Sequence, residues 1–277
     1  FLPADVTGLI DPEELEAARR EMSPEAFAQE FQCSFTAAIR GAFYGQVLEE
    51  AEQRGRFVPL DYDPGQRLIT AWDLGVRDAT SIWVIQPYRG NAFAVLDYHE
   101  SSGAGIDHYV DWLGRHGYLT GNALHLAPHD IANTDWSAAG GLNRKAIAEQ
   151  LGIRFERVPR PKNSGELMDE INATREVLRR CWFHQGSDER GARVYGGRLS
   201  LSLYRQDYND KLGALRATPL HDRHSHAADA FRTFAQMPGS SVHPGLQRQD
   251  AEDSPNLAFQ RPPRTLRAGR LGPRGVA

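Results

Sequence analysis

Three widely separated aspartates could do chemistry together: Asp73, Asp130 and Asp229. Asp73 interrupts an apolar run, where a carboxylate is costly unless it is paired, hydrogen-bonded or bound to a cation. Three converging carboxylates, with few thiols or paired histidines nearby, favour a hard divalent cation such as Mg²⁺ or Mn²⁺. Two such ions about 3.5 to 4 Å apart can activate a water and stabilise the leaving 3′ oxygen of a phosphodiester.

Predicted strands place the first two aspartates at one end of a sheet. RLITAWDLG (67–75), TSIWVIQP (80–87) and NAFAVLDYHE (91–100) are short apolar runs joined by turns, as in an antiparallel meander. A helix follows at 105–117, and ALHLAPHD (123–130) is a fourth strand. If this strand lies parallel beside the first, Asp73 and Asp130 project from the same end, where open α/β sheets place ligands.

The last predicted helix, SHAADAFRTFAQ, brings the third aspartate. Its buried stripe is Ala227, Ala230, Phe231 and Phe234, and a polar stripe of Asp222, Ser225, His226 and Asp229 runs opposite at helical spacing. We expect this helix to pack on the sheet and turn its polar stripe towards the strand ends. Asp78 is a further candidate as an auxiliary metal ligand, and three residues are candidates to support the ligands: His226, Asp222 and His129.

The remaining elements complete an α/β pattern. We predict a helix around 142–151, a strand at 153–159 and a helix at 164–181 capped by Ser164, whereas 186–221 fits a helix or a hairpin. Asp97, which ends the third predicted strand, is interpreted as structural or supporting. The order of elements predicts a mixed sheet of five or more strands with helices on both faces.

Composition divides the chain into four parts. Residues 1–40 read as two short helices with clear start signals, and 41–66 as a connection. Residues 67–237 hold the predicted sheet domain. Residues 238–277 are rich in Pro, Gly, Gln and Arg, so we expect a disordered tail whose last 18 residues contain five arginines and no acid.

Charge and cysteine content exclude several classes of protein. The net charge of −4 does not by itself indicate a nucleic-acid binder, although it leaves local basic patches open. Only three of the 32 basic residues are lysines, and the arginines that make up the rest suit contacts with phosphate. Cys33 and Cys181 are too few for a disulfide framework or a zinc cluster, and we expect reduced, packed thiols. Apolar runs are strand-sized and no leader is recognisable, which predicts a cytoplasmic protein without a membrane span. The chain begins at Phe1, which suggests a fragment or processed product.

Three motifs carry a family resemblance. TAWDLGVRDATSIWVI, LAPHDI and PLHDRHSHAADAFR, in this order and spacing, resemble the nuclease domain of tailed-phage terminase large subunits. The upstream stretch TGLIDPEELEAARREMSPEAFAQEFQCSF is similar to the segment that joins the packaging ATPase to that nuclease. The resemblance covers roughly residues 7–237.

This resemblance implies an RNase H-like fold and a Mg²⁺- or Mn²⁺-dependent endonuclease that cuts concatemeric double-stranded DNA during genome packaging. It implies Asp73, Asp130 and Asp229 as metal ligands, with Asp78 where family members can carry a further acid. It also implies a motor subunit that docks on the portal and works with a small terminase in the cytoplasm of an infected bacterium.

The ATPase that the family joins to its nuclease has no counterpart in these residues. A phosphate-binding loop needs Gly-Lys followed by Ser or Thr, and none of the three lysines follows a glycine or precedes Ser or Thr. The ATPase domain of the same polypeptide is therefore missing here, and we expect no ATP hydrolysis.

Two other functions remain open from the sequence. One is a different RNase H-like nuclease, such as a junction resolvase or transposase core, although MSPEAFAQEFQCSF is not expected there. The other is a docking module whose basic tail binds portal or DNA. The alternative for the tail is a solvated terminus without a function of its own.

Overall fold

The computed structural model describes residues 11–21, 41–75, 78–132, 144–159, 161–209 and 214–237. Several predictions fall outside this part of the chain: the helix that would start at Ser23, the thiol of Cys33, the side chain of Asp130 and the tail at 238–277.

Seven α-helices lie in the described part of the chain. They are α1 (Pro12–Glu21), α2 (Gly45–Gln53), α3 (Ile106–Arg115), α4 (Arg144–Gln150), α5 (Ser164–Leu178), α6 (Glu189–Leu203) and α7 (Ser225–Ala235), with a short 3₁₀ helix at His129–Ala132. Among these described helices, none has the length and apolar content to cross a membrane.

Seven strands form one mixed sheet, and two more form a separate hairpin. The sheet strands are β1 (Phe57–Val58), β2 (Leu68–Asp73), β3 (Ala79–Tyr88), β4 (Ala92–Ser102), β5 (Ala123–Pro128), β6 (Phe155–Val158) and β7 (Cys181–His184), in the order β1-β7-β4-β3-β2-β5-β6. Strands β2, β3 and β4 are antiparallel, whereas β5 lies parallel beside β2. The hairpin pairs β8 (Gln206–Asn209) with β9 (Ala214–Pro219). The predicted α/β class and meander are confirmed.

The alternation of side chains along β2 decides which helix Asp73 faces. Successive side chains of a strand point to opposite faces of the sheet. Leu68 and Trp72 join the core formed with α3 and α4, whereas Ile69 and Ala71 join the core formed with α2, α5, α6 and α7. Asp73 has the same parity as Ile69 and Ala71, so its carboxylate lies on the face covered by α7.

Two side chains of β3 fix the start of α7 on the sheet. The Ser81 hydroxyl donates a hydrogen bond to the His226 carbonyl at 2.8 Å, and Trp83 Nε1 donates to the Ala227 carbonyl at 2.8 Å. Ser81 and Trp83 are both fully buried. Loss of either hydrogen bond would leave a buried polar group without a partner, which costs stability. The first turn of α7 is therefore held in a fixed place above β2 and β3.

The structure corrects several expected details. Residues 41–66, expected as a connection, contain α2 and β1. Helix α5 ends at Leu178, whereas the predicted helix ran to 181, and the sheet gains β7 at 181–184, which was not predicted. The N-cap of α5 is Asn163, whose side chain accepts a hydrogen bond from the Glu166 N–H, and not Ser164. Segment 186–221 contains both a helix and a hairpin, because α6 precedes β8 and β9.

Asp97 does not end its strand, contrary to expectation. It lies within β4, fully buried, and its carboxylate accepts both Nε and Nη2 of Arg193 at 2.8 and 2.7 Å. The Tyr98 N–H and the Tyr118 hydroxyl also donate to it. A buried charge with four donors is structural, since the fold satisfies it completely.

Burial disfavours the charged form of a histidine on β5. The Thr70 hydroxyl accepts a hydrogen bond from Trp72 Nε1 at 2.8 Å and lies 2.7 Å from His125 Nδ1. The hydroxyl oxygen has two lone pairs, so the neutral ring can either accept the hydroxyl proton at Nδ1 or donate its own proton to the oxygen. Burial lowers the pKa of His125 to about 4.

This histidine makes stability depend on pH. The folded pKa of about 4 lies below the ordinary value of 6.5, so the unfolded chain binds more protons between these values and stability falls as the pH drops from 6.5 towards 4. The shift corresponds to about 3 kcal/mol. We expect urea unfolding of His125→Gln to show about 3 kcal/mol less change across this range than the parent protein. Equal pH slopes would contradict a neutral buried His125.

Candidate active site

Asp73 and Asp229 line one cleft at the carboxyl end of β2. The cavity has a volume of about 790 Å³, and its polar lining includes Asp73, His129, Lys162, Glu170, Asp229 and Arg232. These residues come from β2, the 3₁₀ helix, the loop before α5, and the facing helices α5 and α7. The structure therefore brings together two of the three predicted aspartates, 156 positions apart in the sequence.

The turn that follows Asp73 requires a glycine. A Cβ atom added at Gly75 would lie 2.5 Å from the backbone carbonyl oxygens of Asp78 and Ala79. A contact of this length with backbone atoms cannot be relieved by moving a side chain. The chain can leave β2 tightly beneath Asp73 only because residue 75 has no side chain.

The surroundings of Asp73 disfavour the ionised form of its carboxyl group. Burial raises its pKa, and the nearby charge of Asp229 raises it further, while His226 and Arg232 act in the opposite direction. The side chain remains 22% exposed to the cleft. A cation bound in the cleft would therefore stabilise the ionised form of Asp73.

His226 contacts the Asp73 carboxylate directly. Its Nδ1 lies 3.2 Å from Asp73 Oδ2, and the nitrogen is the donor because an ionised carboxylate only accepts. This hydrogen bond raises the pKa of His226, although partial burial acts against it. His226 thus orients the Asp73 carboxylate and favours its ionised form.

Asp229 is paired with an arginine one turn along α7. Arg232 Nη1 donates to Asp229 Oδ1 at 2.6 Å, and Arg232 Nε lies 3.1 Å from Glu170 Oε2 on α5. Burial raises the pKa of Glu170, an effect that Arg232 opposes. Glu170 and Arg232 were not among the predicted site residues. A sequence signal existed, because Glu170 shares a helical face with Leu167, Ile171 and Thr174, which is otherwise buried or half-buried.

The third aspartate, Asp130, is described through its backbone alone. The backbone of Asp130 lies in the 3₁₀ helix, one residue after His129, and the parallel pairing of Ala71 with Leu126 brings this segment to the same end of the sheet as Asp73. The side chain of Asp130 lies outside the described residues. Among the described residues, no three His, Cys, Asp or Glu side chains form a group that could hold a metal ion.

Asp78 and Asp222 line a second, smaller cavity. Its volume is about 400 Å³, and Glu100, His221 and His226 also contribute to it. Asp222 precedes α7, where its carboxylate accepts a hydrogen bond from the His224 N–H at 2.8 Å and so fixes the turn. His226 lines this cavity and contacts Asp73, so it lies between the two groups of acids.

Comparison with solved structures identifies the fold. The large terminase of a thermophilic bacteriophage superposes with a TM-score of 0.50 at 14% sequence identity, covering 82% of this chain and 52% of that one. The fold is thus shared with part of a phage large terminase. The chain spans about half the length of that protein. The predicted resemblance to terminase large subunits is confirmed at the level of the fold.

Two isolated terminase nucleases match with lower TM-scores. The P22 large terminase nuclease domain has a TM-score of 0.48 at 16% identity, covering 73% of this chain and 94% of that chain. The large terminase nuclease of thermophilic phage G20c with bound cobalt has a TM-score of 0.45 at 17% identity, covering 72% and 98%. No protein-family model and no curated protein matches the chain.

Proposed function

We propose that this chain is the metal-dependent endonuclease region of a phage DNA-packaging terminase, which cuts concatemeric double-stranded DNA. The observation that supports this most is the pair of carboxylates, Asp73 and Asp229, facing one cleft on a fold shared with a large terminase. A fold alone does not define an activity, so the site must provide the chemistry.

The donor atoms of the cleft fit a hard divalent cation. Carboxylate oxygens are the ligands that Mg²⁺ and Mn²⁺ prefer. Burial first, and then the charge of Asp229, raise the pKa of Asp73, so a bound cation would favour its ionised form. We assign Asp73, Asp130 and Asp229 as the residues that would hold the metal, with Asp78 as an auxiliary ligand. When bound, a pair of such cations supplies an activated water and charge stabilisation for the leaving 3′ oxygen.

The chain's own residues position these ligands and the substrate. His226 holds Asp73 through its Nδ1. Lys162 is exposed on the cleft lining, where its positive charge suits a DNA phosphate without reading the bases. We therefore propose cleavage with little sequence preference, because nothing in this assignment contacts base edges.

The proposed biological setting follows from the terminase assignment. The intact protein would join this region to an ATPase domain, dock on the portal and act with a small terminase subunit in the cytoplasm of the infected host. These partners are proposed together with the function, since the chain spans only about half of the large terminase whose fold it shares.

The test is the cutting of supercoiled plasmid by the purified chain in Mn²⁺, in Mg²⁺ and in EDTA. We expect nicked and linear products with either metal and none in EDTA, because the carboxylates need a cation to activate water. ATP should have no effect, since the chain lacks the Gly-Lys of a phosphate-binding loop. Intact plasmid with both metals would contradict the nuclease assignment and favour a docking role.

A further inference from the structure

Arg232 is a largely buried cation shared by two acids from different helices. It bridges Asp229, on its own helix α7, and Glu170 on α5. Only 18% of the Arg232 side chain is exposed, and Glu170 is exposed by 15%. Exposed ion pairs at this helical spacing contribute little because both side chains lose freedom. Here burial and the second acid fix the guanidinium in one place.

The geometry leaves one oxygen of Asp229 available. Arg232 contacts Oδ1, and no described residue donates a hydrogen bond to Oδ2. Asp229 lines the same cavity as Asp73. A carboxylate held by one oxygen can therefore present the other to the cleft in a fixed direction.

Glu170 also sets the charge beside Asp229. An Arg232–Asp229 pair alone would be neutral, and the Asp229 charge would be fully offset. With Glu170 the trio has a net charge of −1, so Asp229 keeps negative charge with which to attract a cation. Arginine suits this role because its planar fork contacts two carboxylates at once, which a lysine ammonium cannot do in the same geometry.

We propose that Glu170 and Arg232 form a clamp that positions Asp229 as a metal ligand, with Glu170 acting through Arg232 and not touching the metal itself. This inference rests on the proposed metal-dependent nuclease. It adds two positioning residues that lie outside the three aspartates. Residues that orient metal ligands typically change metal affinity or activity by about 10- to 100-fold when replaced.

The experiment titrates Mn²⁺ into the purified chain by calorimetry and measures the Mn²⁺ concentration for half-maximal plasmid cutting. We expect Glu170→Gln and Arg232→Lys each to weaken Mn²⁺ affinity by about 10- to 100-fold, while saturating Mn²⁺ largely restores the rate. Glu176→Gln is the matched control on α5, because Glu176 is 58% exposed and forms an ion pair with Arg179, away from Arg232.

The double variant Glu170→Gln/Arg232→Lys separates positioning from direct binding. If Glu170 acts through the guanidinium, the double variant binds Mn²⁺ as weakly as Arg232→Lys alone, since residues that act as a unit are not additive. Losses that multiply would make Glu170 a direct ligand and overturn the clamp. A lowered melting temperature with unchanged Mn²⁺ affinity would also overturn it, leaving a structural ion pair.

The two readouts distinguish failure of the clamp from failure of the nuclease assignment. If the parent chain binds Mn²⁺ but leaves DNA intact, the nuclease proposal fails and the Mn²⁺ titrations still decide the clamp. If the parent chain binds no Mn²⁺, both are overturned. If cutting depends on Mn²⁺ but neither single variant changes the affinity, only the clamp fails.

Discussion

Replacing Asp73 with asparagine should lower metal-dependent plasmid cutting by about 100- to 1000-fold, which corresponds to roughly 3 to 4 kcal/mol of lost transition-state stabilisation. Asparagine keeps the size of the side chain but loses the negative charge that would hold the cation. The measurement is the initial rate of loss of supercoiled plasmid in saturating Mn²⁺, compared with that of the parent chain.

The same substitution should leave the fold intact. The folded pKa of Asp73 is raised above its unfolded value, so the folded state binds more protons in that window and stability falls as the pH rises through it. The Asp73 carboxyl therefore costs stability at pH values above its ordinary pKa, and asparagine removes that cost. We expect a melting temperature equal to or above that of the parent chain in the absence of metal.

Asp111→Asn provides the matched control. Asp111 is 67% exposed on α3, in an ion pair with Arg115, and its replacement should change neither cutting nor stability measurably. Full activity of Asp73→Asn would remove Asp73 from the site. Loss of activity together with loss of the folded structure would assign Asp73 a structural role instead.

Replacing Asp97 should lower stability strongly and leave plasmid cutting intact, the reverse of what is expected for Asp73. Asp97→Asn leaves Arg193 without its buried partner, which typically costs about 3 to 5 kcal/mol. For a domain of this size the melting temperature should fall by roughly 10 °C. Asp97 does not line the cleft with Asp73 and Asp229, so plasmid cutting at a temperature where the variant is folded should continue.

The double variant Asp97→Leu/Arg193→Met checks the cause of this destabilisation. Removing both partners leaves no unpaired buried charge, so the double variant should be more stable than Asp97→Asn alone. Chemical unfolding of both variants and of Asp111→Asn measures the difference. A loss below about 1 kcal/mol for Asp97→Asn would contradict the interpretation of Asp97 as a structural charge.

Local sequence patterns predicted the elements that position the cleft. The apolar runs of β2, β3 and β4 and the amphipathic spacing of α3 and α7 decide these elements largely by themselves, because each buries one face or one stripe. The position of Asp73 at the end of β2 and its approach to α7 followed from the same patterns. The assignment of Asp73, Asp130 and Asp229 to one metal site remains a prediction.

Other features depend on contacts that local patterns do not reveal. Strand β7 is four residues long and begins three residues after the end of α5. Its first residue therefore read as the end of the helical pattern, and the rest is too short to show a strand pattern. The burial of Asp97 depends on Arg193, which lies 96 positions away. Glu170 and Arg232 meet only because α5 and α7 pack together. In the sequence, Glu170 is a charged residue at a core-facing position of its helix. That position indicates an ion pair only once Arg232 is known to lie opposite it.

The most direct test of the central claim is an anomalous-scattering map from crystals of this chain soaked in Mn²⁺. The account predicts a peak in the cleft, in contact with the carboxylates of Asp73 and Asp229, with Asp130 completing the ligand set. A cleft without a peak at saturating Mn²⁺, or a peak bound only by other residues, would contradict the assignment of these aspartates as the metal ligands.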